Sequence, residues 1–173
     1  MAIQTKKIYK RGTSIVEMLI YLAILSFLLV VIVSLLSNLL NSQKRSNASR
    51  NVERAGIFAI ERIVREIRNA SSVDTAGSVL SSNPGVLKLN YTSGGASHNV
   101  RFYLENGILY LEEDGNLVGA LTNDKSRLTN LVFYRILSSN SEAIKVEVTA
   151  ESGLEEAYKS ANFFTTAVMR GSY

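Results

Sequence analysis

The chain has no cysteine, and its 173 residues include one proline and one histidine. Without cysteine there is no disulfide, no thiolate metal site and no cysteine nucleophile. A folded domain must then rest on apolar burial and backbone hydrogen bonds. The histidine, His98, lies in a run of small and polar residues, Gly94-Gly95-Ala96-Ser97-His98-Asn99. It reads as a solvated loop residue, because a catalytic imidazole needs an orienting partner and a cleft. The phosphate-cradling G-x-x-x-x-G-K-[ST] and the zinc-binding H-E-x-x-H are both absent. The residues therefore suggest no catalytic group, no metal ligand and no cofactor, and the expectation is a protein that is not an enzyme.

Basic charge is also scarcer than it first looks. The formal net charge is +4, but Lys6, Lys7, Lys10 and Arg11 all precede Gly12. Beyond Gly12 there are fifteen basic and fifteen acidic side chains. The excess sits in a short leader, where it sets topology, since basic residues beside an apolar span stay on the cytoplasmic side. Lys44, Arg45, Arg50 and Arg54 form a second basic stretch. No aromatic stacking platform accompanies it, so it reads as a solvated helix face and makes nucleic acid an unfavoured partner, though not an excluded one.

What the chain does have is one long apolar run. Met18 to Leu36 holds nineteen uncharged residues. At 1.5 Å per residue a helix of that length rises roughly 28 Å, which matches a hydrocarbon core of about 30 Å. A secretory signal has a shorter apolar core with a small-residue cleavage site after it. Here the chain continues Ser37-Asn38-Leu39-Leu40-Asn41, so the anchor is expected to be retained.

Glu17 stands at the head of this run. An ionisable group inside a membrane segment is costly and marks function, with a partner to be found. Cutting after Gly12 would free an α-amino group on Thr13, four residues before Glu17, able to neutralise the carboxylate of a neighbouring subunit. The plainer alternative is a glutamate snorkelling at the membrane edge with no partner.

Between Thr13 and Ala76 there is no proline, and Gly56 is the only glycine. Val52, Gly56, Ala59, Ile60, Ile63, Ile67 and Ala70 recur at spacings of three and four, a helical stripe. The spacing predicts one helix from about Thr13 to Ser72, apolar all round at first and amphipathic later. Ala76–Gly85 reads as a loop around Pro84. Strands are expected at Val86–Tyr91, Val100–Glu105, Ile108–Glu112, Leu117–Leu121, Leu128–Leu137, Ala143–Ala150 and Phe163–Arg170. Asn106-Gly107 suits a type I′ hairpin turn, and Asp114-Gly115-Asn116 marks another. The acidic run Glu112-Glu113-Asp114 lacks the ligand spacing of an EF-hand loop and reads as that turn. The expected class is α+β: a long N-terminal helix packed on an antiparallel sheet. The segments are a leader (1–12), a membrane-spanning helix (13–36), its amphipathic continuation (37–72) and a β headgroup (73–173).

Lys10-Arg11-Gly12-Thr13-Ser14-Ile15-Val16-Glu17, followed by the apolar run, resembles the cleavage signal of type IV pilins and type II secretion pseudopilins. The resemblance implies removal of the leader between Gly12 and Thr13 by a prepilin peptidase, and methylation of Thr13. It further implies a pilin-like fold and a charge pair between Glu17 and the Thr13 amine of an adjoining subunit. The implied location is the bacterial inner membrane, headgroup outward, and then a filament. The implied partners are the peptidase, other pilin-like subunits and an inner-membrane assembly platform. Glu-Met-Leu-Ile-Tyr-Leu-Ala-Ile-Leu (17–25), Arg-Ile-Val-Arg-Glu-Ile-Arg-Asn-Ala (62–70) and Thr-Thr-Ala-Val-Met-Arg (165–170) look most like a J-type minor pseudopilin or a minor pilin. The chain departs from the family at Thr13, where phenylalanine or methionine is usual. It also has Ser34 where major pilins commonly carry a proline, and it lacks the C-terminal cysteine pair. Two further expectations stand beside this one: a minor pilin whose headgroup binds DNA or a surface, and an uncleaved signal-anchored protein outside any filament.

Overall fold

The computed structural model describes residues 14–93, 96–138 and 141–170. Helix α1 runs Ile15–Asn69, followed by strands β1 (Ser72–Val73), β2 (Leu87–Ser93), β3 (Ala96–Glu105), β4 (Ile108–Glu113), β5 (Asn116–Ala120), β6 (Arg127–Ser138), β7 (Ser141–Ser152) and β8 (Lys159–Val168). The chain divides into two compact units, one ending at Leu40 and one starting at Asn41.

The first unit is the apolar start of α1. It is long and apolar enough to cross a membrane. From Ile15 to Leu40 every residue except Glu17 is exposed within the chain. Two of its hydroxyls bond back to the helix: Ser26 Oγ donates to Leu22 O (2.8 Å) and Ser37 Oγ to Val33 O (2.9 Å). Such back-bonding satisfies a hydroxyl where no water is at hand. With serine rather than proline at position 34, α1 is uninterrupted there.

In the second unit α1 buries one stripe, Ala48, Val52, Ala55, Gly56, Ala59, Ile63 and Ile67. This is the face that the spacing predicts. Two antiparallel sheets cover it where one was expected. Strands β1 to β5 form a five-stranded sheet in sequence order, and β6, β7 and β8 form a three-stranded one. Phe102, Leu109 and Leu111 from the first sheet join Phe133, Ile144 and Val146 from the second in one hydrophobic cluster with the helix stripe.

The division has a visible cause. The outer edge of β6, which a single sheet would pair with β5, is occupied by the segment around Pro84. Ser81 N–H donates to Phe133 O (2.8 Å) and Gly85 N–H to Leu131 O (2.7 Å). The Asn83 side chain accepts from Leu131 N–H (2.9 Å) and donates to Thr129 O (3.3 Å). The loop expected at Ala76–Gly85 is therefore an edge cover.

Both hairpin turns form where the sequence places them. Asn106 and Gly107 have φ of 52° and 80°, and Asp114 and Gly115 have 51° and 79°, the paired left-handed conformations of a type I′ turn. The His98 expectation is corrected. β3 begins at Ala96 and pairs with β2 as far as Tyr91↔His98 and Ser93↔Ala96. His98 is thus a strand residue, held by the ladder that the alternating residues beyond it begin.

Gly56 is buried, and a Cβ there would run into the ring of Phe163 on β8. Alanine favours a helix interior by about 1 kcal/mol over glycine, but overpacking a filled core costs about 1–3 kcal/mol. Gly56→Ala is expected to lower the melting temperature of the detergent-solubilised chain, and the double variant with Phe163→Leu to recover most of the loss. A rise in melting temperature for the single variant would contradict this packing.

Candidate functional site

Glu17 occupies the first turn of α1, where the exposed N–H groups of the helix end favour a negative charge. The first turn is closed by Met18 N–H donating to Ser14 O (3.1 Å). One turn further, the Tyr21 hydroxyl donates to Glu17 Oε1 at 2.7 Å. Residues four apart share a helix face, which is what brings the two together. Tyr21 is a site residue that the sequence reading passed over, although its spacing from Glu17 was the signal. A phenol supplies a hydrogen bond but no positive charge. The carboxylate keeps its second oxygen and its net charge for another partner.

The proposed partner atom belongs to Thr13. Gly12 and Thr13, the cleavage, methylation and charge-pair residues of the sequence reading, lie outside the described residues. Ala23, Ser26 and Ser34, the small residues available for close helix contact, are all exposed on α1.

The other candidates resolve into structural roles. The three carboxylates of the acidic turn each face a base. Glu112 pairs with Arg101 (3.2 Å), Glu113 with Arg62 (3.5 Å) and Asp114 with His98 Nδ1 (2.8 Å). Among the described residues no cluster of histidine and carboxylate side chains is arranged to hold a metal ion. In the basic stretch, Arg45 reaches Glu156 (3.5 Å) and Arg50 donates to Asn47 Oδ1 (2.6 Å).

Comparison with protein-family models, with curated proteins and with solved structures gave no match to this chain. What can be said of its function therefore rests on its own residues.

Two networks bind the second unit together. Arg62 on α1 spans Glu66 (3.0 Å) and Glu113 on β4, and Tyr91 on β2 donates to Glu66 Oε2 (3.1 Å). Burial, with Glu66 beside it, pushes the Tyr91 phenol well above its usual range, so it stays a donor. Asp74, just past β1, accepts from the backbone N–H groups of Ala76 and Gly77 (3.1 Å each) and faces Lys88 Nζ at 3.0 Å.

Lys88, and then the Gly77 N–H, hold the Asp74 carboxyl below its usual range. His98, and then the Asn99 N–H, do the same for Asp114. A carboxyl with a depressed folded-state pKa contributes stability above its unfolded value, about 3.9, and loses it as pH falls through the lower folded value. Melting temperature should therefore fall on acidification below about pH 4 as these groups protonate. Asp74→Asn is expected to melt below wild type at pH 7, with the difference closing towards pH 3. A pH-independent difference would show that the charge has no part in it.

Proposed function

We propose that this chain is a pilin-like structural subunit, held in a membrane by the start of α1 and then built into a filament through that same segment. The observation that carries the reading is the change in α1 at about Leu40. Beyond it the helix buries one stripe under two sheets; before it, 25 of the 26 residues from Ile15 are exposed, and nearly all are apolar. Such a surface needs a cover, either lipid or the like segments of other copies. The J-type minor pseudopilin or minor pilin is the finer assignment within this proposal.

Glu17 supplies the register. In the membrane its hydrogen bond from Tyr21 and its place near the cytoplasmic interface limit its cost. Among packed helices away from water, an uncompensated carboxylate is strongly unfavourable, while a carboxylate facing an ammonium is tolerable. The Thr13 amine of an adjoining subunit, freed by cleavage after Gly12, offers that ammonium. A subunit out of step strands a charge, so the step is selected by the penalty on its alternatives.

The first test is the mass of the protein isolated from its native membrane. Loss of Met1–Gly12, with or without one added methyl group on Thr13, is expected. An intact leader in cells with active prepilin peptidase would overturn the filament reading and leave the signal-anchored one. The second test is incorporation. Glu17→Ala should be cleaved normally yet enter filaments at least about tenfold less, the effect of roughly 1.4 kcal/mol or more. Tyr21→Phe should assemble nearly as well as wild type, since it keeps the charge. Normal incorporation of Glu17→Ala would remove the role assigned to this carboxylate.

A further inference from the structure

Strand β8 is ten residues long and ends the three-stranded sheet. Each residue from Lys159 to Val168 has its partner on β7, with no break in register. Among the described residues, no backbone group bonds to the other flank of β8. Burial along the strand agrees. On β7 the inward residues Val146, Val148 and Ala150 are buried. Their partners on β8, Thr165, Phe163 and Ala161, are partly exposed, as residues are when no further strand lies beside them.

The ladder decides which groups are open. Met169 N–H donates to Glu142 O (3.0 Å) next to the pair Val168↔Ala143. The odd-numbered residues of β8 therefore turn their N–H and C=O groups towards β7. Ser160, Asn162, Phe164, Thr166 and Val168 turn theirs away. Phe163 lies against Gly56, and Ala167 and Met169 are buried, so the even-numbered side chains stand on the outer face. There Phe164 is 75% exposed and Val168 42%. Long edges are commonly blunted by shortness, a bulge, a charge, a proline or a covering segment. β1 has two residues, β5 has five and pairs through a bulge, and β6 is covered at Leu131 and Phe133. Residues 160–168 hold no charge, no proline and no glycine.

We propose that the outer edge of β8 is a strand-addition site, which takes an uncharged, extended segment of another protein. A row of N–H and C=O groups repeating roughly every 7 Å is matched in full by one kind of partner, a second extended backbone. The absence of charge along 160–168 selects a neutral segment, because a charged side chain laid on this edge would lose water and meet no counter-charge. Phe164 and Val168 select apolar side chains at alternate positions of the incoming strand, on the same outer face. The main chain then supplies the attachment and the outer-face side chains supply the choice of segment. The site lies wholly in the second unit and stands whether or not the apolar start of α1 enters a membrane.

The probe is the labelled, amidated peptide Thr-Val-Thr-Phe-Thr-Val-Thr, N-methylated at its two inner threonines. The methyl groups close one edge of the peptide against self-association and leave the valine and phenylalanine N–H groups free to pair. Fluorescence anisotropy would follow its binding to the full chain in detergent, with amide hydrogen exchange on the same samples. Saturable binding with a Kd below about 1 mM is expected, with slower exchange at Asn162, Phe164 and Thr166. The same peptide methylated at its valines and phenylalanine as well keeps every side chain but no inner N–H, and should not bind. Thr166→Pro removes an outward N–H and no bond to β7. It should leave the melting temperature near that of wild type and weaken binding about fivefold or more. No saturation by about 1 mM, equal binding of the two peptides, or equal binding by wild type and Thr166→Pro would overturn the proposal. So would exchange at these three amides that slows with protein concentration in the absence of peptide, since the edge would then belong to a second copy of the chain.

Discussion

The covering of one helix face governs everything else in this protein. From Ala48 to Ile67, α1 presents apolar side chains along a single stripe, and two sheets close over it. Ile63 and Ile67 are fully buried, and burying a side chain of that size contributes roughly 1.5–3 kcal/mol. The same helix has no stripe before Leu40; its apolar surface runs all the way round, and among the described residues none covers it. Half of α1 is thus covered by the chain's own sheets, and the other half is long and apolar enough to cross a membrane. The proposed membrane and filament states are two ways of covering that other half.

Around this apolar contact, charged groups set orientation more than stability. Exposed ion pairs contribute little, about 0–1 kcal/mol each. Arg62 differs because it reaches Glu66 on its own helix and Glu113 on β4 together, while its Nε is buried with no hydrogen-bond partner. A planar guanidinium presents its donors to both carboxylates in a fixed fork, where an ammonium would be a compact point charge without that geometry. Tyr91 completes the link to β2 through Glu66. The helix is thereby registered against the five-stranded sheet along its length as well as pressed onto it.

Much of this was legible in the order of residues, and the misses share a cause. The stripe of α1 follows from spacing alone, because helix periodicity and burial on one face are the same fact seen twice. The Asn106-Gly107 and Asp114-Gly115 turns are local, set by backbone angles that few other residues adopt. The division into two sheets was not legible. It depends on Ser81, Asn83 and Gly85 meeting Leu131 and Phe133, about fifty residues away, and no local pattern encodes that meeting. His98 looked like a loop residue because small polar neighbours mask a strand whose partner lies across a hairpin. At the candidate site, Glu17 announced itself by being charged where nothing else was. Tyr21 did not, since a tyrosine in an apolar run reads as one more apolar residue until its hydroxyl is placed.

The Pro84 segment has one more effect on how the protein meets other chains. It occupies outer hydrogen bonds of β6 at Thr129, Leu131 and Phe133, the middle of one terminal strand of the three-stranded sheet, whose other terminal strand is β8. A foreign backbone seeking to extend that sheet from the middle of β6 meets hydrogen bonds already made. Growth of the sheet across that stretch of β6 is therefore blocked by the chain itself.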